Sequence, residues 1–213
     1  MLSAPESLAA AGVGHGYDGR YLFRDQSFTL ERGTSMALTG PSGSGKTTML
    51  SILGGLVRPN EGSAVLTRGP NCEPGPFAWT EVAWVFQGGN LFPWRTVLDN
   101  ALLGLSGTRS VDHPTATNRA RSLLREVGLE HRASHRARVL SGGERQRLGI
   151  VRALVPRPAF ILADEPTSGM DLGAGRAVLG LLIDMVRRSD AGLVVCTHDT
   201  SVSRQLDRRV DLA

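Results

Sequence analysis

Residues 35–53 read Ser-Met-Ala-Leu-Thr-Gly-Pro-Ser-Gly-Ser-Gly-Lys-Thr-Thr-Met-Leu-Ser-Ile-Leu, and no other stretch constrains the fold as tightly. Gly40, four residues, and then Gly45-Lys46-Thr47 form the phosphate-binding loop pattern. The pattern works only between a strand and a helix, and both neighbours are here. Met36-Ala37-Leu38 reads as a buried strand, and residues 48–53 carry apolar side chains at helical spacing. Glycines at 40, 43 and 45 let the backbone curl so that successive N–H groups aim at one anion, and the new helix adds its positive end. Gly40, Pro41, Ser42, Gly43, Ser44, Gly45, Lys46, Thr47 and Thr48 are the expected surroundings of that anion. Lys46 is expected to reach the β- and γ-phosphates of a nucleotide, and the Thr47 hydroxyl to ligate Mg²⁺.

A glycine-rich turn with an incidental lysine is the plain alternative, and composition opposes it. Lys46 is the only lysine, so the 24 basic residues comprise 1 lysine and 23 arginines. A compact ammonium on a flexible stem fits inside a ring of amides where a planar guanidinium does not.

The 213 residues suffice for one well-cored domain. Strands are expected at 8–13 (an edge strand), 27–30, 63–66, 82–86, 160–163 and 193–197. Helices are expected after residue 90, at 118–127, at 142–155 and at 172–188, the last with Arg187-Arg188 at its negative end. Residues 14–19, which include Tyr17, 69–76 and 130–138 read as loops. Strands alternating with amphipathic helices make an α/β chain with a mainly parallel sheet. No run of 18 apolar residues occurs and no basic-then-apolar start, so neither a membrane span nor a signal peptide is expected. Cys72 and Cys196 lack metal-like spacing, and a cytosolic, reduced protein is expected. The net charge of +4 permits an anionic partner, although arginines spread along the chain read as a solvated basic surface.

Phe160-Ile161-Leu162-Ala163 is an apolar strand that stops at Asp164-Glu165. A second catalytic element is expected where a neighbouring strand ends beside the phosphate loop. Asp164 is expected to hold Mg²⁺, and Glu165 to orient and polarise an attacking water. Taken alone, the pair could equally cap the next turn.

Leu140-Ser141-Gly142-Gly143-Glu144-Arg145-Gln146-Arg147 is similar to the signature motif of ATP-binding cassettes, and about residues 8–207 resemble the nucleotide-binding subunit of an ABC transporter. Other motifs follow in that family's order. Tyr17 matches the aromatic that stacks on adenine, Gln87 the glutamine of the Q-loop, Ser168-Gly169-Met170-Asp171 the D-loop and His198 the switch histidine. The resemblance implies a P-loop NTPase core with an N-terminal antiparallel β subdomain and an inserted α-helical signature subdomain. Within a single domain spanning 1–213, the core would be about 1–87 and 156–213 and the helical part about 88–155. It implies ATP and Mg²⁺ as ligands, with Lys46, Gln87, Glu165 and His198 catalytic. Thr47, Gln87 and Asp164 would surround the metal, while Tyr17, Ser141, Gly142, Gly143 and Asp171 would contact nucleotide. Ser141-Gly142-Gly143 opens a helix, so its N–H groups and hydroxyl form a second anion site. Two such helix ends and one nucleotide per chain imply a head-to-tail pair of chains, each signature closing over the other's ATP.

Met170 stands where the family usually has leucine, and Gly169 where alanine or asparagine is commoner. The chain ends 15 residues after His198, so C-terminal regulation is expected to be absent, with residues 209–212 a stub of a strand. The partner implied is a separate transmembrane permease, which would hold the chain at the cytoplasmic face of the membrane. Gly88-Gly89 reads as a hinge, and Leu91-Phe92-Pro93-Trp94 either tucks into a core or walls a groove for a permease helix. The segment 90–100 resembles that of nitrate, sulfonate and taurine importers, whereas 52–56 and 163–167 are similar to lipoprotein-releasing and macrolide-efflux ATPases, so the substrate stays open. A soluble cassette acting on DNA or ribosomes is the competing class. No heptad insertion lies between Leu56 and Leu140 and there is one cassette, so no nucleic acid is expected. Glu165 and His198 oppose a catalytically dead regulator.

Overall fold

The computed structural model describes residues 6–68, 81–105 and 112–212, so the proline-rich 69–76 stretch and Cys72 lie outside the described residues. The strands are β1 (Ser7–Tyr17), β2 (Arg20–Glu31), β3 (Ser35–Thr39), β4 (Glu61–Thr67), β5 (Val82–Val85), β6 (Phe160–Asp164), β7 (Gly192–Cys196) and β8 (Arg208–Asp211). The helices are α1 (Lys46–Leu53), α2 (Val97–Leu102), α3 (His113–Glu126), α4 (Gly142–Leu154), α5 (Leu172–Arg188) and α6 (Thr200–Ser203). One sheet runs β5-β6-β7-β3-β8 with every pairing parallel, and a second, antiparallel, runs β2-β1-β4.

The central strands β3 and β7 are buried at every position, which is why apolar residues run unbroken from Met36 to Leu38 and from Leu193 to Cys196 rather than alternating. The two-residue period of the parallel strands divides their side chains between two cores. Met36, Leu38, Phe160, Leu162, Val194 and Cys196 pack with α1 and the antiparallel sheet. Ile161, Ala163, Leu193 and Val195 pack instead with α4 and α5, in a core that continues into α2 and α3. Each large side chain fully buried in this way contributes about 1.5–3 kcal/mol. Among the described residues no helix is long and apolar enough to cross a membrane.

Four expectations need correction. The stretch at 8–13 is no edge strand: β1 is the middle of its sheet and runs on through the residues expected as a loop, to Tyr17. Register shifts at 10–13, 13–15 and 15–16 break its alternation and hide its length. α3 starts five residues before 118, because the Asp112 carboxylate accepts the Thr115 N–H at 3.0 Å and a proline follows at the helix start. The 130–138 segment contains two 3₁₀ turns, Glu130–Arg132 and Ala137–Val139. Residues 208–211 are a full member of the parallel sheet, paired with β3 from Met36 to Thr39.

Candidate functional site

The order β6-β7-β3 brings three strand ends to one edge of the sheet: β3 feeds the phosphate loop, β6 ends at Asp164-Glu165, and β7 at Thr197-His198. Gly45 is the N-cap of α1 with φ +88°, and a Cβ there would stand 2.7 Å from the Phe23 ring. Only glycine therefore lets β2 close on the loop. No side chain caps α1, and its first turn holds no acid, so its N–H groups face the loop interior uncontested. The Lys46 ammonium, only 9% exposed as a residue, donates to the carbonyls of Gly40 and Pro41 at 2.9 Å each. The Ser44 hydroxyl is buried without a partner, while Pro41, Ser42 and Gly43 are exposed on the outer rim and Thr48 is half-buried on α1. A cradle of uncapped amides with one ammonium and an unsatisfied hydroxyl fits a phosphate chain.

Thr47 donates its hydroxyl to Asp164, at 3.0 Å from Oδ2 and 3.3 Å from Oδ1. Burial raises the Asp164 pKa above the ordinary carboxylate value, the Thr47 bond opposes that rise, and the Glu165 charge adds to it. The Lys46 charge also opposes the rise, and the pair Asp164 makes with Thr47 is all hard oxygen, the donor set that suits Mg²⁺. Among the described residues no three His, Cys, Asp or Glu side chains gather to cage a metal, so a Mg²⁺ held by this pair would need further ligands from water and phosphate.

Glu165 has a left-handed backbone, φ +46°, and its N–H donates to Cys196 O at 3.0 Å, tying the end of β6 to β7. Its Oε1 lies 2.8 Å from His198 Nδ1, with the histidine side chain 67% exposed and the glutamate 23%. Gln87 opens a 3₁₀ turn, and its amide donates to Ser168 Oγ at 3.2 Å rather than to Thr47 or Asp164. Lys46, Thr47, Asp164, Glu165 and His198 thus share one edge, and Gln87 meets the segment leaving Glu165.

Other expected site residues stand apart. The Ser141 hydroxyl is not free: it accepts the Glu144 N–H at 3.3 Å, while Glu144 Oε2 accepts the Ser141 N–H at 2.8 Å. Gly142 is exposed and Gly143 half-buried, and a Cβ on Gly143 would meet nothing. Asp171 caps α5 by accepting the Ala174 N–H at 2.9 Å. Among the described residues no hydrogen bond joins Ser141, Gly142, Gly143 or Asp171 to the phosphate loop. Tyr17 is 56% exposed and stands edge-on to the buried His15, with ring centroids 4.9 Å apart.

Sequence reasoning missed the scaffold behind Gln87. Arg152 donates to Asn90 O at 2.7 Å and to Gly89 O at 2.9 Å, and Gln146 donates to Phe86 O at 3.2 Å. A Cβ on Gly89 would stand 2.4 Å from Arg145 O, so α4 and the turn touch backbone to backbone. The one available signal was an arginine inside the otherwise apolar run Ile150-Val151-Arg152-Ala153-Leu154. Asn100, fully buried, accepts the Phe92 N–H at 2.8 Å and donates to Phe92 O and Thr96 O, fixing the next loop. Phe92 and Trp94 project from it, 43% and 63% exposed, so neither is core. Phe92 borders a groove of about 490 Å³ whose walls include Trp84, Phe86, Leu91, Arg152 and Pro156.

Residues 23–168 match the family described as ABC transporter. The chain is 36% identical over 204 residues to the lipoprotein-releasing system ATP-binding protein LolD 2 of Rhodospirillum rubrum, covering 93% of this chain and 88% of that protein. It is 31% identical to the ATP-binding cassette MJ0796 in a dimeric post-hydrolysis state bound to ADP and Pi, with a TM-score of 0.78 over 96% of this chain and 93% of that one. The cbiO1 protein of Clostridium perfringens, 22% identical, shares the fold with a TM-score of 0.83 over 97% of this chain and 84% of that one. The chain therefore belongs to the ABC transporter family as an ATP-binding, ATP-hydrolysing subunit.

Proposed function

We propose that ATP is hydrolysed at the shared strand edge by the following division of labour. Lys46 neutralises the β- and γ-phosphates, and the amides of residues 42–48 cradle them. Thr47 and Asp164 hold Mg²⁺, with Gln87 turning toward it from Ser168; the ion would supply charge neutralisation on the phosphates. Glu165 orients and polarises the attacking water, and His198, hydrogen-bonded to Glu165, meets the γ-phosphate as donor. Tyr17 stacks on the adenine. Ser141, Gly142, Gly143 and Asp171 act across a head-to-tail pair of chains, which accounts for their distance from the phosphate loop within one chain. Residues 88–155 move as the helical unit that carries the signature.

The observation that carries this proposal is the Glu165–His198 contact at 2.8 Å on the same edge as the Thr47–Asp164 pair. Replacing Glu165 with glutamine keeps the shape and removes the base, so ATP turnover should fall about 10²–10⁴-fold. Sizing chromatography with ATP should then show a stable dimer, against mainly monomer for the parent after turnover. Turnover at the parental rate, or a variant monomeric at saturating ATP, overturns the proposal.

The groove beside Phe92 and Trp94 supports a separate membrane permease as partner, received through a short helix, with the ATPase on the cytoplasmic face. Of the two opposed substrate cues, the similarity to a lipoprotein-releasing ATPase favours a permease of the releasing type.

A further inference from the structure

The nucleotide edge uses the C-terminal ends of the parallel strands. At the opposite edge lies an open cavity of about 440 Å³, bordered by Arg32, Arg119, Ser122, Glu126, Arg157 and Arg188. The topology explains its place: Arg32 comes just before β3, Arg157 just before β6 and Arg188 shortly before β7, while the other three belong to α3.

Two of the four guanidiniums are matched. Arg188 Nη1 stands 3.0 Å from Glu126 Oε2, and Arg32 Nη2 3.2 Å from Asp190 Oδ2. The other two are not. Arg119 Nη2 donates to Leu154 O at 3.0 Å, but its Nε is buried with no partner. Arg157 is exposed and makes no side-chain hydrogen bond or ion pair among the described residues. Burial, and after it the Arg157 charge, pulls the Arg119 pKa below its ordinary value, with Glu126 opposing. The negative ends of α4 and α5 offset part of this charge. They satisfy one donor of Arg119 and leave Arg157 unmatched.

The backbone is also specialised here. Arg157 has φ +58° within Pro156-Arg157-Pro158, a left-handed conformation costly for a residue with a Cβ and more so before proline. A turn alone would be served better by glycine. Backbone strain of this kind gathers at ligand clamps and active sites.

We propose that this cavity is a second anion site, separate from the nucleotide loop, that takes a phosphate group between Arg119 and Arg157. Planar guanidinium forks match phosphate oxygens two at a time, and the Ser122 hydroxyl stands on the same wall. The same group is offered by an acidic lipid headgroup and by a soluble phosphate.

The test uses the full chain carrying Lys46→Ala, so that the nucleotide loop does not compete, and inorganic phosphate as probe. Calorimetric titration at low salt should give binding that weakens about tenfold with added Arg157→Gln and is lost with Arg119→Gln as well. The Arg157 side chain is exposed, so the single variant keeps the fold even if the double variant does not. Equal affinity in the parent and Arg157→Gln overturns the site. Flotation with phosphatidylglycerol vesicles, against phosphatidylcholine, separates the sources. Capture that Arg157→Gln abolishes assigns a lipid headgroup, and phosphate binding without capture assigns a soluble phosphate. ATP turnover should be unchanged by Arg157→Gln with Lys46 intact; its loss in a stably folded variant overturns the separation of the two sites.

Discussion

Replacing Arg152 with methionine keeps the length of the stem and removes the two bonds that fasten α4 to the segment after Gln87. In the parent the guanidinium reaches Asn90 O at 2.7 Å and Gly89 O at 2.9 Å. Burial alone shifts its pKa, downward, and a guanidinium so shifted is still charged at neutral pH. Hydrogen bonds to a charged donor contribute about 1.5–3 kcal/mol each. The two carbonyls do not suffer equally, because Asn90 is exposed and can turn to water, whereas Gly89 is buried and is left unsatisfied. Methionine, in return, escapes part of the desolvation that a half-buried charge bears. Counting the Gly89 bond in full and little of the other gives a net loss of about 2–3 kcal/mol. In a domain of this size that lowers Tm by about 4–12 °C. Calorimetric melting of the full chain measures it, with Arg152→Lys, which keeps one donor, expected in between. A methionine variant within about 0.5 kcal/mol of the parent, the range of an ordinary surface change, would refute the fastening role.

Lys46→Arg keeps the charge but not the compact shape that sits between two loop carbonyls 2.9 Å away, so ATP affinity should drop about ten- to hundredfold by calorimetry; parental affinity would count against the cradle. Trp94→Ala should leave ATP affinity unchanged and move stability by no more than about 1 kcal/mol, since the ring is 63% exposed. The same variant should lose co-purification with the permease, and unfolding of the isolated chain would show the ring to be core after all. The Ser35 hydroxyl, then its N–H and Arg187, hold the Asp207 carboxyl below the usual range despite some burial. A depressed carboxylate stabilises fully above its unfolded pKa of about 4 and stops doing so as pH falls through its folded value. The Tm gap between parent and Asp207→Asn should therefore be widest near pH 7 and close below about pH 4; a gap constant from pH 7 to 3 contradicts this.

The phosphate loop was legible because its chemistry is local: glycines, lysine and threonine at fixed offsets between an apolar strand and a helix. The 172–188 helix was legible for a similar reason, since Asp171 caps one end and two arginines close the other. What stayed hidden depends on contacts between distant parts of the chain. Three register shifts blur the two-residue period of β1, so the sequence around Tyr17 reads as a loop. The polar opening of α3 carries no apolar period, and only its cap marks it. Arg152, Asn100 and Ser168 look like ordinary polar residues until folding sets them against the backbone of residues 89–96 or the amide of Gln87. The engagement of Ser141 by Glu144 could have been anticipated, because serine followed three residues later by glutamate is itself a capping pattern.

The position of β3 between β7 and β8 also sets a timetable for synthesis. Both neighbours of this early strand lie more than 150 residues further along, at 192–196 and 208–211, so its two edges stay unpaired until those residues are made. At about 5–20 residues per second the wait lasts roughly ten to thirty seconds. Throughout it, an apolar strand and the nascent phosphate loop depend on whatever shelters them, and nucleotide has no finished cradle with which to guide folding. Pairings so far apart in sequence form late and slowly. A ribosome that stalls before residue 208 therefore releases a chain whose nucleotide strand keeps an open edge, a template for self-association.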